Sequence, residues 1–519
     1  MLESRRMNTG ERNKFLALMS SHLLWGFVLW FSISKLGLGI STDSVHLMFG
    51  GMNFAETGRL VSFDGSPLLG WPPLYPVLLA VVHLATNWST FAAANALQVI
   101  AYVGLSACVS LLFLKMFPED FALAVAGCVL TDVGVVMVSG FDLLGSDYIH
   151  LCLAVLFLLL TAEYVENNSP RHFVALVVTG MLTALERYIG VAAILTGALS
   201  ILLFAHGSLL QRSIRGLLVM LSAAPAAVWL AVTSPLIQRR AAISLVENFH
   251  WFSLSLAEWL LPASTVQAHP VRGLVLVWGS IAGLLAVLYL ARRSELPHFS
   301  RPVLLFGAIY ALALFGSASI AYFNKLGGRF LMPLYIPFVT LLLVCAQAAL
   351  RLSRGSAPGI HRAAQAGVAG ALILAGLLSL RISIPAVIQS HAGEASGENA
   401  FNTAQWRANG AIRFWLAHES KEPYALFSNY PDAAAFYTEH TAMASPKQYS
   451  GPYGDAEFPL ESYTGQLFRP EQDTYLIWIE PNEQGYYYKP SDLGRIADLI
   501  TLYEGEGGGV YKLSPKTGG

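Results

Sequence analysis

The chain has 519 residues, of which 55% are hydrophobic and 13% charged, against about 25% charged in a typical soluble protein. A mean hydropathy of +0.52 and repeated apolar runs near the length of a bilayer crossing exclude a simple soluble globule. A net charge of −1 gives no basic surface, so nucleic acid is excluded as a partner. The four cysteines (Cys108, Cys128, Cys152 and Cys345) all fall inside apolar runs, which leaves no disulfide framework or Cys-based zinc site in the soluble parts.

The first apolar run, residues 14–36, is too long for a signal-peptide core and lacks a small-residue cleavage site, so it reads as a retained anchor. About eleven spans follow from run length: 15–36, 91–116, 121–138, 147–165, 172–185, 188–206, 214–233, 273–291, 302–322, 330–350 and 363–386. The run 74–86 is short and Pro-flanked, well under the roughly 20 residues of a full span, and predicts an interfacial or partly inserted helix. With the N-terminus inside, the inner segments carry 14 Lys and Arg in 60 residues and the outer loops 8 in 115. That asymmetry obeys the positive-inside rule. The fold class expected is a polytopic α-helical membrane protein, multi-pass in the cell's inner or plasma membrane and in contact with membrane lipid. Residues 1–386 form the transmembrane domain with a first outer loop at 37–90, and residues 387–519 a small C-terminal extracytoplasmic α/β domain.

In that last region "YALFSN" (424–429) and "TYLIWIE" (474–480) predict strands. "FNTAQWRANGAIRFWLAH" (401–418) and "SDLGRIADLITLY" (491–503) have helical spacing, and "GGGVYKL" (507–513) predicts a closing strand after the turn "EGEGGG" (504–509). No glycine-rich phosphate loop follows either clear strand.

Ionisable groups at membrane depth are costly and tend to be functional. Several stand at the expected outer ends of spans: Asp43 after the first, Asp142 and Asp147 between the third and fourth, Glu186 and Arg187 between the fifth and sixth, Lys325 and Arg329 entering the tenth. Acids and bases from four hairpins on one face suggest a shared polar cavity. Each has a plain structural reading beside the functional one. Asp43 and Asp147 could cap helices, and Arg187 and Arg329 could snorkel to headgroups. Asp142 and Lys325 read as solvated loop residues, Glu186 as the partner of a nearby arginine, and His46 and His83 as structural histidines. The aromatic-rich segments 248–262 and 484–490 fit either sugar stacking or interfacial anchoring.

In chain order these features resemble the GT-C membrane glycosyltransferases, the group that includes protein O-mannosyltransferases and the lipid A aminoarabinose transferase. The text carrying the resemblance is Asp43, then Phe54 to Leu60, Asp64-Gly65 and Trp71 to Pro76, then Ser146-Asp147 opening the fourth span and "RFLMPLYIP" from Arg329. It covers about residues 15 to 350. Asp43 is followed by Ser44 where the protein mannosyltransferases have an Asp-Glu pair, and the fourth span opens with Asp where Glu is common. Both departures leave the acceptor open.

The resemblance implies transfer of a hexose or pentose from a polyprenyl-phosphate carrier to a lipid, glycan or protein acceptor on the extracytoplasmic face. Asp43 is the expected general base, and Arg329 and Arg187 the expected binders of the departing phosphate. Asp147 would orient the base or join Asp43 in holding a divalent cation, with no other cofactor expected. Glu186, Tyr75, Trp71 and His46 would line the cavity, and the Trp71–Pro76 segment would wall the donor's entry. The alternative is a transporter or flippase for a lipid-linked or small polar substrate. Against it stand the absence of repeat halves and the grouping of polar residues at one face rather than the midplane.

Overall fold

The computed structural model describes residues 9–68, 70–233, 244–290, 296–320, 326, 328–354, 356–392, 401–420, 422–449, 456–468, 472–481 and 485–516. The chain forms two compact units. The first gathers residues 1–38, 70–75 and 94–392, the second residues 39–69, 76–93 and 393–519.

The first unit is helical. Among the described residues eight helices are long and apolar enough to cross a membrane, or nine if Phe121–Asp132 and Val135–Phe141, bent by 50° at their junction, are counted as one span. The expected spans 172–185 and 188–206 are the shorter helices Pro170–Glu186 and Tyr188–Phe204. Among the described residues each of the eleven runs falls mainly on helix, but not each is a full-length crossing. The chain is a multi-pass integral membrane protein.

Hydropathy does not separate packed spans from lipid-facing ones. The crossing at Gly328–Ser353 and the one at Pro270–Tyr289 have hydropathies of 1.9 and 2.0, yet 72% of the first is buried and 11% of the second. In a bilayer both a lipid tail and a neighbouring helix are apolar surroundings, so composition cannot distinguish them. Helix Met332–Ser353 is central, packing against Ser300–Ile320, Phe121–Asp132 and Pro358–Ala392. This helix and Pro358–Ala392 together satisfy the bent span. The Tyr335 hydroxyl donates to the Leu130 carbonyl at 2.9 Å and Ser383 to the Val133 carbonyl at 2.6 Å. Broken helices survive at membrane depth only when neighbours supply such partners.

The second unit is built on a five-stranded sheet of β1 (Tyr424–Ser428), β2 (Ala442–Ala444), β3 (Asp473–Ile479), β4 (Ala497–Gly505) and β5 (Gly508–Pro515), in the order β2-β1-β3-β5-β4. β1 is parallel to β2 and β3, while β5 is antiparallel to β3 and β4. The core of the sheet buries Ala425, Phe427, Leu476, Leu493 and Leu513. β1, β3 and β5 fall where strands are expected, and the short β2 is additional. The helical reading of 491–503 is overturned: only Pro490–Leu493 is helical and the chain is strand from Ala497. The residues Leu493, Ile496, Leu499 and Ile500 fit a helical stripe, but the following glycines close a hairpin. Gly507 and Gly508 adopt φ of 85° and 123°, a region open to glycine at little cost. The hairpin turns 497–505 into an edge strand, with Ile500 and Leu502 left exposed. The single helix expected over 401–418 is two, Ala404–Ala408 and Gly410–His418. Asn409 divides them: its Oδ1 accepts from the Ile412 N–H at 3.1 Å as an N-cap, and its Nδ2 donates to the Gly507 carbonyl at 2.8 Å.

The same unit holds helix Thr42–Thr57. It starts at a capping box in which Ser41 and Ser44 serve each other's backbone N–H, and it ends at Gly58 in the left-handed region. Gly51 lets this helix approach the next one closely. A Cβ there would meet Leu79 Cβ at 2.8 Å and the Pro76 carbonyl at 3.0 Å. The start of the loop is joined to the C-terminal region by two bonds. Asn402 Oδ1 accepts from the Ile40 N–H at 3.0 Å, and the Phe401 N–H donates to the Ile40 carbonyl at 2.8 Å.

Candidate active site

In the membrane unit, Asp147 is the first residue of helix Asp147–Asn167 and Arg187 follows helix Pro170–Glu186. The two side chains form a short ion pair, with the Asp147 carboxylate buried and the Arg187 guanidinium about one-fifth exposed. Ser146 stands at the cap position without a side-chain cap bond, Asp147 is in the first turn, and Arg187 pairs with Asp147. Around this couple stand Tyr75, His150, Glu186 and Tyr310, all buried and all within its electrostatic reach.

Glu186 does not pair with the neighbouring arginine by hydrogen bond. Neither of its carboxyl oxygens, nor the Tyr75 hydroxyl, has a hydrogen-bond partner among the described residues. Buried polar atoms are normally satisfied, and each exception asks for a reason such as a ligand. Tyr310 donates to the Phe330 carbonyl at 3.0 Å, which ties the turn Gly328–Leu331 to this cluster. That turn carries Arg329, half-buried, its guanidinium 5.6 Å from the Phe330 ring centroid. Trp71 contributes its carbonyl, which accepts from Trp229 Nε1 at 3.1 Å.

Asp43 and His46 belong to the second unit. Asp43 is half-buried in the first turn of its helix, but the cap is Ser41, so its carboxylate is not spent on closing the helix. His46 bonds Ser62 Oγ through Nδ1 at 2.5 Å and lies 4.7 Å from the Phe63 ring. Burial holds its imidazole below the usual histidine range, against the opposing pull of Asp64, Asp43 and Asp432. Asp432, at the start of helix Pro431–Thr438, accepts the Thr42 hydroxyl in a short bond. Burial pushes its carboxyl up, with that bond acting the other way.

Asp142 is not a solvated loop residue but is 3% exposed; the turn that carries it folds back into the helices. His22 and Asp132, which sequence reasoning passed over, form a buried pair at 2.7 Å, and the Tyr102 hydroxyl donates to Asp132 at 3.2 Å and to the His22 carbonyl at 2.8 Å. An aspartate inside an expected span was the available signal. Lys325 lies outside the described residues. Among those described, no group of three or more His, Cys, Asp and Glu is arranged to hold a metal ion. Asp147, named above as one candidate ligand of a divalent cation, has its carboxylate engaged by Arg187.

No family model matches the sequence, and no curated protein does. Solved structures do match. ArnT from Cupriavidus metallidurans in the apo state superposes with a TM-score of 0.58 at 14% identity, over 96% of this chain and 98% of that one. The same protein bound to undecaprenyl phosphate gives 0.57 at 14% identity, over 98% of both. The archaeal oligosaccharyltransferase AglB from Archaeoglobus fulgidus, in complex with an inhibitory peptide and a dolichol-phosphate, gives 0.54 at 14% identity, over 97% of this chain and 74% of that one. At such identities the likeness is one of fold, and it extends over nearly the whole chain: this is a membrane protein with the GT-C fold.

Proposed function

We propose that the chain is a membrane glycosyltransferase that moves a sugar from a polyprenyl-phosphate carrier to an acceptor on the extracytoplasmic face. The observation that carries this reading is the fold match, end to end, with a protein whose structure holds undecaprenyl phosphate. The membrane-unit cluster supports it chemically. A guanidinium has five N–H donors in a rigid fork, and Asp147 engages Arg187 through Nη1. Held in place by that carboxylate and partly exposed, Arg187 can turn further donors to a phosphate. Arg329 is the second cation assigned to the phosphate.

In the reaction proposed, the acceptor hydroxyl passes its proton to Asp43 as its oxygen bonds the anomeric carbon. The carbon–oxygen bond to the carrier phosphate breaks, its electron pair leaves with the phosphate, and Arg187 and Arg329 stabilise the charge that develops. Attack opposite the leaving phosphate inverts the anomeric centre. The test is transfer by the purified full chain in lipid nanodiscs, given radiolabelled polyprenyl-phosphate hexose or pentose and an extract of its own membranes as acceptor. Consumption of neither donor would refute the reading.

Two further expectations check it. Arg329→Lys keeps the charge but loses the two-pronged geometry, an exchange that is not conservative at a bidentate site. Transfer should fall about tenfold or more, the loss of roughly one charge-assisted hydrogen bond, at unchanged expression. The orientation is tested by single cysteines at Ser66 and Ser491, both exposed. An impermeant thiol reagent should label both in intact cells, and labelling of neither would place that unit on the inner side.

A further inference from the structure

The parallel half of the sheet ends on residues that the reaction above does not use. The chain leaves β1 for β2 on one side and returns to β3 on the other. The β1/β3 border is thus a topological switch point, where open parallel sheets place ligands beyond the carboxyl ends of their strands. After β1, the Asn429 side chain bonds both the N–H and the carbonyl of Ile479, each at 2.9 Å, and Asp432 follows. After β2 comes Ser445, 1% exposed, whose hydroxyl has no hydrogen-bond partner among the described residues.

The next residues pair with a second segment. The Gln448 N–H donates to the Tyr486 carbonyl at 2.7 Å and the Tyr488 N–H to the Pro446 carbonyl at 3.0 Å. This ribbon holds the rings of Tyr486 and Tyr487 4.6 Å apart, with Lys447 Nζ 5.8 Å from each centroid. Tyr486 is half-buried, and Asp432 lies within electrostatic reach of both tyrosines. Thr42, which donates to Asp432, immediately precedes Asp43 in the chain.

Aromatic stacking alone could be packing, but packing does not account for a buried hydroxyl left without a partner, which costs about 1–3 kcal/mol. Nor does interfacial anchoring, which needs the aromatic side chains and not the buried polar groups. A sugar ring asks for both: an aromatic face for its C–H surface and a few fixed polar groups for its hydroxyls.

We infer that this end of the sheet binds a sugar of a glycan acceptor, with Tyr486 as the stacking platform and Asp432 and Ser445 as partners of its hydroxyls. The acceptor role rests on the glycosyltransferase reading; carbohydrate binding at this place does not.

The experiment is saturation-transfer NMR on the full chain in a detergent without a sugar headgroup, with no donor present. The probes are chitobiose, mannobiose and maltose. At least one should show saturated ring protons with wild type. Its Kd should weaken at least tenfold in Tyr486→Ala and stay within twofold in Tyr486→Phe. Ser445→Ala, which removes an oxygen without adding volume, should weaken it severalfold at an unchanged melting temperature. Absence of signal from all three probes with wild type, or equal binding by a folded Tyr486→Ala, overturns the inference. Should Tyr486→Ala fail to fold, Ser445→Ala and Lys447→Ala decide it on the same criterion. Donor turnover is assayed separately: a chain that turns over donor but binds no probe refutes this site alone, and one that binds probes but never consumes donor refutes the transferase reading.

Discussion

Asp43→Asn should lower sugar transfer at least about 100-fold, the low end of what a positioned acid–base group contributes, with no loss of folded protein. The second half of that expectation is what makes the first informative. Helix Thr42–Thr57 is capped by Ser41, reciprocally with Ser44, and not by Asp43. The tie to Asp432 is made by the Thr42 hydroxyl. An amide at position 43 therefore leaves both local bonds in place while removing the proton acceptor. Transfer measured under single-turnover conditions, beside the thermal melting of the same preparation, gives both readouts. A variant that melts as wild type and transfers at near-normal rate would remove Asp43 from the reaction.

The second large effect lies in the buried couple of Asp147 and Arg187. Removing one partner of a buried ion pair leaves the other charge uncompensated, at a cost of about 3–5 kcal/mol. Asp147→Asn should accordingly lower the melting temperature markedly and abolish transfer. Loss of activity through instability would by itself say nothing about the phosphate. The double variant Asp147→Asn, Arg187→Gln separates the two effects, because replacing both charges with neutral groups of similar shape removes the uncompensated guanidinium. Its stability should return most of the way while transfer stays absent. If the double variant recovers transfer as well as stability, the couple is a structural tie, and Arg329 is the remaining candidate for the phosphate.

The spans were legible because bilayer thickness imposes a run length that soluble packing does not. Their surroundings were not, since Gly328–Ser353 and Pro270–Tyr289 differ in what they touch and hardly at all in hydropathy. Asp147, Glu186 and Arg187 stood out as charges at the ends of apolar runs. Which carboxylate Arg187 takes was not readable, because sequence adjacency favours Glu186 and the helix packing delivers Asp147 instead. Asp43 was found by its place after the first span, whereas the partner of its neighbour, Asp432, is 390 residues from Thr42. The helical reading of 491–503 failed for a local reason: a stripe of apolar residues yielded to a glycine-rich hairpin seven residues on. Asp132 sits inside an expected span rather than at its end, and its partner His22 is 110 residues away in another helix, so nothing local marks the two as a pair.

The pair of His22 and Asp132 has a consequence for how the protein is made. His22 is delivered to the bilayer in helix Thr9–Ile33, and its carboxylate partner follows 110 residues later. Until then the imidazole sits in a span whose polar neighbour does not yet exist, and Tyr102, in the second long span, arrives before Asp132 does. The early helices of a nascent chain are thus held as an unfinished set, and the bent span that carries Asp132 supplies what closes it. A polypeptide released before that point would lack the carboxylate that bonds His22.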